Sequence, residues 1–147
     1  MSSTDREALT SLAAELLHAP KRELFGVHTW TNALPTAPGV YALWERASGR
    51  PIYVGETANL RARMGDLGRF RNYICRRKLA QVLEMTGDDE LALSAMIAQT
   101  HQLSFIVVWL GRVELEEFLS VKWAASLINR LGRRHLNRYS WVSPGER

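Results

Sequence analysis

Two tyrosines and an arginine are residue types that could act together on a phosphate group. Eleven residues separate Tyr41 from Tyr53, and Arg63 follows the second tyrosine by ten. A phenol has a pKa of about 10 in water, so it accepts a proton at neutral pH only when a nearby cation lowers that pKa. An arginine carries such a charge, and its planar guanidinium matches the oxygens of a phosphate.

Two short apolar runs must position the tyrosines. Residues 39–44 and 51–55 flank a polar, glycine-containing link at 45–50, a pattern typical of a β-hairpin. The residues behind the second run favour a helix, and Thr57 is its predicted N-cap. This helix would carry the arginine back beside the hairpin.

The two tyrosines reach one site only if they point to the same face of the hairpin. Because side chains alternate along a strand, the outcome depends on the register. A four-residue loop that pairs Arg46 with Pro51 would put them on opposite faces. We predict instead a five-residue loop from Ala47 to Pro51, which pairs Arg46 with Ile52. Pro51 has no backbone donor, and this register leaves it out of the ladder.

The hairpin and helix resemble the core of the GIY-YIG nuclease family. The first signature matches Gly39-Val40-Tyr41 and the second matches Tyr53-Val54-Gly55, and the family pattern continues at Thr57, Asn59, Leu60 and Arg63. Three-residue signatures alone are weak, so the joint spacing carries the resemblance. The competing interpretation is a hairpin whose tyrosines only pack in the core, followed by a surface arginine.

The resemblance also implies a late helix whose glutamate binds one divalent metal, with an asparagine twelve residues further on. Glu117 and Asn129 have that spacing, so Glu117 is the predicted metal ligand. Glu114 is the fallback, since it lies three residues away on a neighbouring face of the same helix. Acidic residues at the start of a helix also suit the helix dipole, and capping alone would explain any one of them.

The chain departs from the family pattern at two positions. Ser126 stands where a proline is common shortly before the asparagine. Leu67 stands where many members carry a histidine, one helical turn after Arg63. His101 or His135 would have to approach in space to replace it. These departures affect the detail of the chemistry more than the fold.

The resemblance assigns roles in phosphodiester hydrolysis. Tyr41 would activate the attacking water, Tyr53 would orient the water or the phosphate, and Arg63 would stabilise the transition state. Glu117 would hold one Mg²⁺ or Mn²⁺ at the scissile phosphate. The predicted nucleic-acid contacts are Arg61, Asn59, Arg69, Arg71, Arg76, Arg77, Lys78 and Asn129.

Composition bounds the class of protein. With 147 residues, 46% of them hydrophobic, the chain is expected to form one domain at 1–147. Its core would span about 38–130, between an N-terminal helix extension at 1–37 and a basic tail at 131–147. A single cysteine excludes an intramolecular disulfide. The sequence has neither a membrane-spanning apolar run nor a secretory signal, so a soluble cytoplasmic protein is expected.

The positive charge is concentrated in two segments. Residues 61–78 carry seven basic side chains against one acid, and residues 118–145 contain no acid. Two basic segments that flank the predicted site suit a polyanion such as DNA, branched or damaged DNA included. A solvated basic surface is the plainer interpretation.

The fold class predicted for the chain is α/β (α+β), with a small, mainly antiparallel sheet flanked by helices. The sheet would consist of hairpin 39–54 and a buried strand at 104–110, central beside the hairpin. The other predicted elements are a helix at 3–18 capped by Ser3 or Thr4, a short strand at 25–30, and helices at 71–84, 89–99 and 113–127. Trp109 and Trp123 are predicted core residues, and Trp141 is a candidate for stacking on bases.

The leading hypothesis is a metal-dependent DNA endonuclease of GIY-YIG type. One alternative is a nucleic-acid-binding module that keeps the fold but cuts poorly or not at all, which the Leu67 departure suggests. Another is an interaction domain for a partner other than nucleic acid. One active site cuts one strand at a time, so double-strand breaks would need a homodimer or sequential nicking. A partner protein is one possible source of specificity.

Overall fold

Three antiparallel strands form the centre of the structure. A computed structural model of the chain describes residues 2–24, 30–68, 74–85, 90–128, 139, 141 and 142. The strands are β1 (Gly39–Glu45), β2 (Pro51–Thr57) and β3 (His101–Val107), in the order β2-β1-β3. The helices are α1 (Ser3–His18), α2 (Leu60–Gly68), α3 (Ile74–Val82), α4 (Glu90–Thr100) and α5 (Arg112–Lys122), with a 3₁₀ turn at Trp30–Ala33. This architecture confirms the predicted fold class.

Strand β3 differs from its prediction in both place and extent. It begins and ends three residues earlier than expected, and β1 rather than β3 is the central strand. The ladder ends at the pair Gly39 and Val107 because Pro38 precedes β1, and the last bond runs from the Val108 N–H to the Pro38 carbonyl at 2.9 Å. On the outer side of β3, Arg22 forms an isolated bridge with Leu103. Most of the predicted strand at 25–30 lies outside the described residues.

The sheet separates two hydrophobic cores. One face packs on α1 and α5 through Val40, Ala42, Val54 and Ile106. The other face packs on α2, α3 and α4 through residues that include Tyr41, Leu43, Tyr53 and Leu103. Alternation along the strands therefore decides which helices each strand residue meets. We call these the α1/α5 face and the tyrosine face.

The helix caps differ from those predicted. Ser2 caps α1 through a capping box in which its hydroxyl accepts from the Asp5 N–H at 3.1 Å. Asn59 caps α2, since its side-chain oxygen accepts from the Ala62 N–H at 3.1 Å. Thr57, the predicted cap, ends β2 and accepts from the Asn59 N–H at 3.1 Å. It thus shapes the turn that precedes the cap.

The three late tryptophans differ in how deeply they are buried. Trp123 is buried in the core as predicted. Trp109 was predicted to be buried and is 71% exposed, because it follows the end of the β1–β3 ladder. Trp141 packs against Phe118, with the Arg6 guanidinium 5.0 Å from its ring centre. Both contacts place Trp141 beside the α1/α5 core. No helix in the described parts of the chain is long and apolar enough to cross a membrane.

The hairpin register differs from the prediction, although both tyrosines share one face as predicted. Tyr41 lies opposite Gly55 and Leu43 opposite Tyr53, after which the register shifts and Trp44 lies opposite Pro51. The shift is a β-bulge in which Ile52 is the extra residue, so β2 keeps Pro51 in the strand. Ile52 and Tyr53 consequently belong to the same core cluster although they are neighbours in sequence.

Gly55 allows the Tyr41 ring to lie across β2. A Cβ atom at position 55 would be 2.5 Å from both Cζ and the hydroxyl oxygen of Tyr41. The Tyr41 and Tyr53 rings stack with their centres 6.2 Å apart and an interplanar angle of 23°. The glycine of the second signature is therefore required by close approach of a ring to the backbone.

We predict that Gly55→Ala destabilises the protein by about 1–3 kcal/mol, since the added methyl group overlaps a buried ring. Gly65→Ala is the matched control, because a Cβ at position 65 in α2 meets nothing within 4 Å. That variant should be neutral or stabilising by up to about 1 kcal/mol. Urea unfolding measures both, and equal stability of the two variants would contradict the contact.

Candidate active site

The tyrosine pair lies at the junction of β1 and β2. The side chains of Tyr41 and Tyr53 are 1% and 8% exposed, so most of each ring is in the core. The Tyr41 hydroxyl lies over Gly55. The structure thus brings two of the predicted site residues together on one face of the sheet.

Helix α2 carries Arg63 on the tyrosine face. Leu60 packs the start of the helix against Gly39 of β1, since its Cδ1 lies 2.7 Å from where a Cβ atom of that glycine would be. Its first turn is closed by the Asn59 cap and by the bond from the Arg63 N–H to the Asn59 carbonyl at 3.1 Å. Arg63 is partly exposed. The capped start of the helix therefore fixes where Arg63 leaves α2.

Glu116 is the α5 carboxylate that faces this region. Burial first, and then the charges of Glu56 and Glu117, raise its pKa from 4.5 to about 7. The backbone N–H of Glu56 and the charge of Arg63 act in the opposite direction. The same flank of α5 is attached to β2 one helical turn before Glu116, where Nε of Arg112 donates to Oε2 of Glu56 at 2.7 Å.

Glu117, the predicted metal ligand, contacts Tyr139. Its side chain is 8% exposed, and its Oε2 accepts a hydrogen bond of 3.0 Å from the Tyr139 hydroxyl. Successive residues on a helix are about 100° apart, so Glu116 and Glu117 leave α5 in different directions. Glu114, the fallback, lines a groove between α1 and α5.

The rotation of α5 decides the directions in which Glu116 and Glu117 point. Spacing to an asparagine distinguishes neighbouring residues only if the intervening chain is continuous helix, but α5 ends at Lys122. The buried stripe Leu115, Phe118 and Leu119 was a better signal, because it fixes the rotation of the helix. That stripe puts Glu116 and Arg112 together on one flank. Asn129 lies outside the described residues.

The structure describes only some of the predicted nucleic-acid contacts. Arg61 donates from Nε to the Leu34 carbonyl at 2.8 Å and from Nη2 to the Asn32 carbonyl at 3.1 Å, so it braces the segment before β1. Arg77 is exposed and Lys78 half-buried on α3, which packs on the tyrosine face. The side chain of Arg76 and all of Arg69 and Arg71 lie outside the described residues.

The histidines considered as substitutes do not join the site in the described structure. His101 lies opposite Glu45, at the end of the sheet away from Gly39. Its ring is buried, which lowers its pKa, and Nδ1 is 2.7 Å from the Thr100 hydroxyl. His135 and the side chain of Leu67 lie outside the described residues. The role that many family members give to a histidine has no described replacement.

The residues at the edge of β2 fit a weakly coordinated hard cation. Within the described ranges, no group of three or more His, Cys, Asp or Glu side chains is arranged to hold a metal ion. Mg²⁺ commonly uses one or two carboxylates and fills its other positions with waters and substrate phosphates. The partly desolvated carboxylate of Glu116 has suitable oxygen donors and negative charge.

Comparison with known proteins finds a local similarity. A stretch of 40 residues is 51% identical to UvrABC system protein C of Koribacter versatilis (strain Ellin345). The stretch makes up 27% of this chain and only 6% of the length of that relative. No protein-family model matches the chain, and no solved structure gives a significant match. The similarity supports the family resemblance in part.

We predict that the stability of the protein falls between pH 5 and pH 8 because of Glu116. The unfolded carboxyl loses its proton near pH 4.5 and the folded one near pH 7, so the folded state binds the proton more tightly. The stabilisation is present at low pH and is lost as the pH rises through about 7. Glu116→Gln should flatten this fall in urea unfolding measurements.

Glu114→Gln is the control for that experiment, since Glu114 is an exposed carboxylate on the same helix. It should leave the pH dependence of wild type intact. A Glu116→Gln variant with the same pH dependence as wild type would contradict the placement of this carboxyl.

Proposed function

We propose that this protein is a metal-dependent endonuclease of GIY-YIG type that hydrolyses DNA phosphodiester bonds. The observation that carries the proposal is the convergence at β2, where Tyr41 lies over Gly55 and Glu116 lies near both Glu56 and Arg63. A proton acceptor, a cation for the phosphate and a carboxylate for a metal are the groups that the reaction needs.

The chain's own residues divide the reaction between them. Tyr41 takes the proton of the attacking water, and Tyr53, stacked beside it, orients the water or the phosphate. Arg63 supplies the positive charge that a phenolate requires and binds the phosphoryl oxygens as charge builds up on them. Glu116 would hold one Mg²⁺ or Mn²⁺, a role that the resemblance gives to Glu117. When bound, the cation neutralises charge on the scissile phosphate and the leaving oxygen.

The DNA backbone runs along α2 and α3 in this proposal. Both helices pack on the tyrosine face, and α3 presents Arg77 and Lys78 there. Basic side chains that neutralise phosphates give an affinity that falls steeply with salt. The local similarity to UvrABC system protein C agrees with a role in cutting or repairing DNA. The activity of that whole protein does not transfer, because the matched stretch is 6% of it.

A second candidate is a DNA-binding module without cleavage. The observation that favours it is Leu67, which stands in α2 one turn after Arg63 where many members of the family carry a histidine. His101 is fixed at the opposite end of the sheet, as described above. This candidate predicts salt-sensitive DNA binding with no effect of metal on the DNA.

Nicking of supercoiled plasmid tests the proposal. We expect cleavage that depends on Mg²⁺ or Mn²⁺, with a loss of about 100-fold or more in Arg63→Ala and Glu116→Gln, because each removes charge stabilisation from the transition state. Glu117→Gln is the matched variant on the same helix and should lose far less.

Two results would change the assignment. If Glu117→Gln were inactive and Glu116→Gln active, the metal would belong to Glu117 as the spacing predicts. If plasmid, branched DNA and RNA were all left intact while DNA was still bound, the binding module would replace the endonuclease.

A further inference from the structure

Glu56, the residue directly after the second signature, makes two contacts with α5. Its Oε2 accepts a hydrogen bond of 2.7 Å from Nε of Arg112, the first residue of that helix. Its charge also raises the pKa of the Glu116 carboxyl, one helical turn further along α5. Arg112 and Glu116 are four residues apart, so both lie on the same flank of α5. One strand residue therefore meets two successive turns of the helix.

The start of α5 has few other attachments in the described structure. Gly111 is its N-cap, with φ of 83° and no side-chain capping bond. The residues around it are exposed, at 71% for Trp109, 89% for Leu110 and 45% for Val113. The first core contact of the helix is Leu115, and Tyr139 reaches the Glu114 carbonyl from the far side at 3.2 Å. The ion pair with Glu56 thus attaches this exposed start of the helix to β2.

We propose that Glu56 and Arg112 form a positioning pair that holds the Glu116 carboxylate at the outer edge of β2. The inference rests on the proposed function, since it gives the pair a role in that site. The pair is 29% exposed on the Glu56 side and 34% on the Arg112 side, and such pairs contribute little to global stability. Its effect is on geometry, and groups that orient a metal ligand typically change metal affinity or activity by about 10- to 100-fold.

The pair could affect Mg²⁺ binding through its charges or by positioning Glu116, and the two explanations predict opposite results for two variants. Arg112→Ala removes a cation near the site, so electrostatics alone would strengthen Mg²⁺ binding, whereas loss of positioning weakens it. Glu56→Gln removes a negative charge, so electrostatics alone would weaken Mg²⁺ binding. Its amide oxygen still accepts from Arg112, so positioning is retained. The two variants therefore separate the explanations.

The experiment measures nicking rate against Mg²⁺ concentration and, separately, the affinity of the free protein for Mn²⁺. We expect Arg112→Ala and Glu56→Ala to raise the half-saturating Mg²⁺ concentration and the Mn²⁺ dissociation constant by about 10-fold or more. The rate at saturating metal should change much less. Glu56→Gln should stay close to wild type. The control is Glu23→Ala, which breaks the Glu23–Arg46 ion pair near the opposite end of the sheet.

Several outcomes overturn the inference. They are unchanged metal dependence in Arg112→Ala and Glu56→Ala, tighter binding in Arg112→Ala, or equal weakening in Glu56→Gln and Glu56→Ala, which would assign the effect to charge. If wild type binds Mn²⁺ but does not cut DNA, the endonuclease proposal fails and the Mn²⁺ affinities still decide the positioning pair. If wild type binds no Mn²⁺, the positioning pair fails as well.

Discussion

The close approach of the Tyr41 ring to the backbone of β2 is the contact on which the site depends. It needs glycine at position 55, because a Cβ there would overlap the ring. It also needs the observed register, which sets these two residues opposite each other. The bulge at Ile52 then lets β2 keep Tyr53 on the same face while Pro51 remains in an edge strand. The position of the Tyr41 ring, the register of the hairpin and the bulge in β2 therefore depend on one another.

The edge of β2 is also where the two faces of the sheet meet. Helix α5 belongs to the α1/α5 face and α2 to the tyrosine face, yet Glu116 and Arg63 influence each other electrostatically. An edge strand makes this possible, since no other strand in the described part of the chain pairs with its outer side. The chain after α5 uses the same edge, where the Ile128 N–H donates to the Ile52 carbonyl at 2.8 Å. Elements from both faces can therefore contribute to one site.

The sequence was informative where a local pattern determines the structure. Helix α1, the hairpin, the shared face of the tyrosines and the fold class follow from periodicity and signature spacing. The register of the hairpin could not be predicted in this way, because one bulge changes the pairing without changing which face is apolar. The choice between Glu116 and Glu117 could not be decided from the sequence either, since it depends on the rotation of α5 and hence on tertiary packing. The exposure of Trp109 depends on where the β1–β3 ladder stops, and Pro38 decides that from a distant part of the chain.

The most direct test of the account is a crystal structure grown with Mn²⁺, in which anomalous scattering locates the cation. We expect a peak within coordination distance of the Glu116 carboxylate, at the outer edge of β2 and on the side of Arg63. The remaining coordination positions should be filled by water in the absence of DNA. A peak at Glu117 beside Tyr139, or one remote from β2, would contradict the site described above.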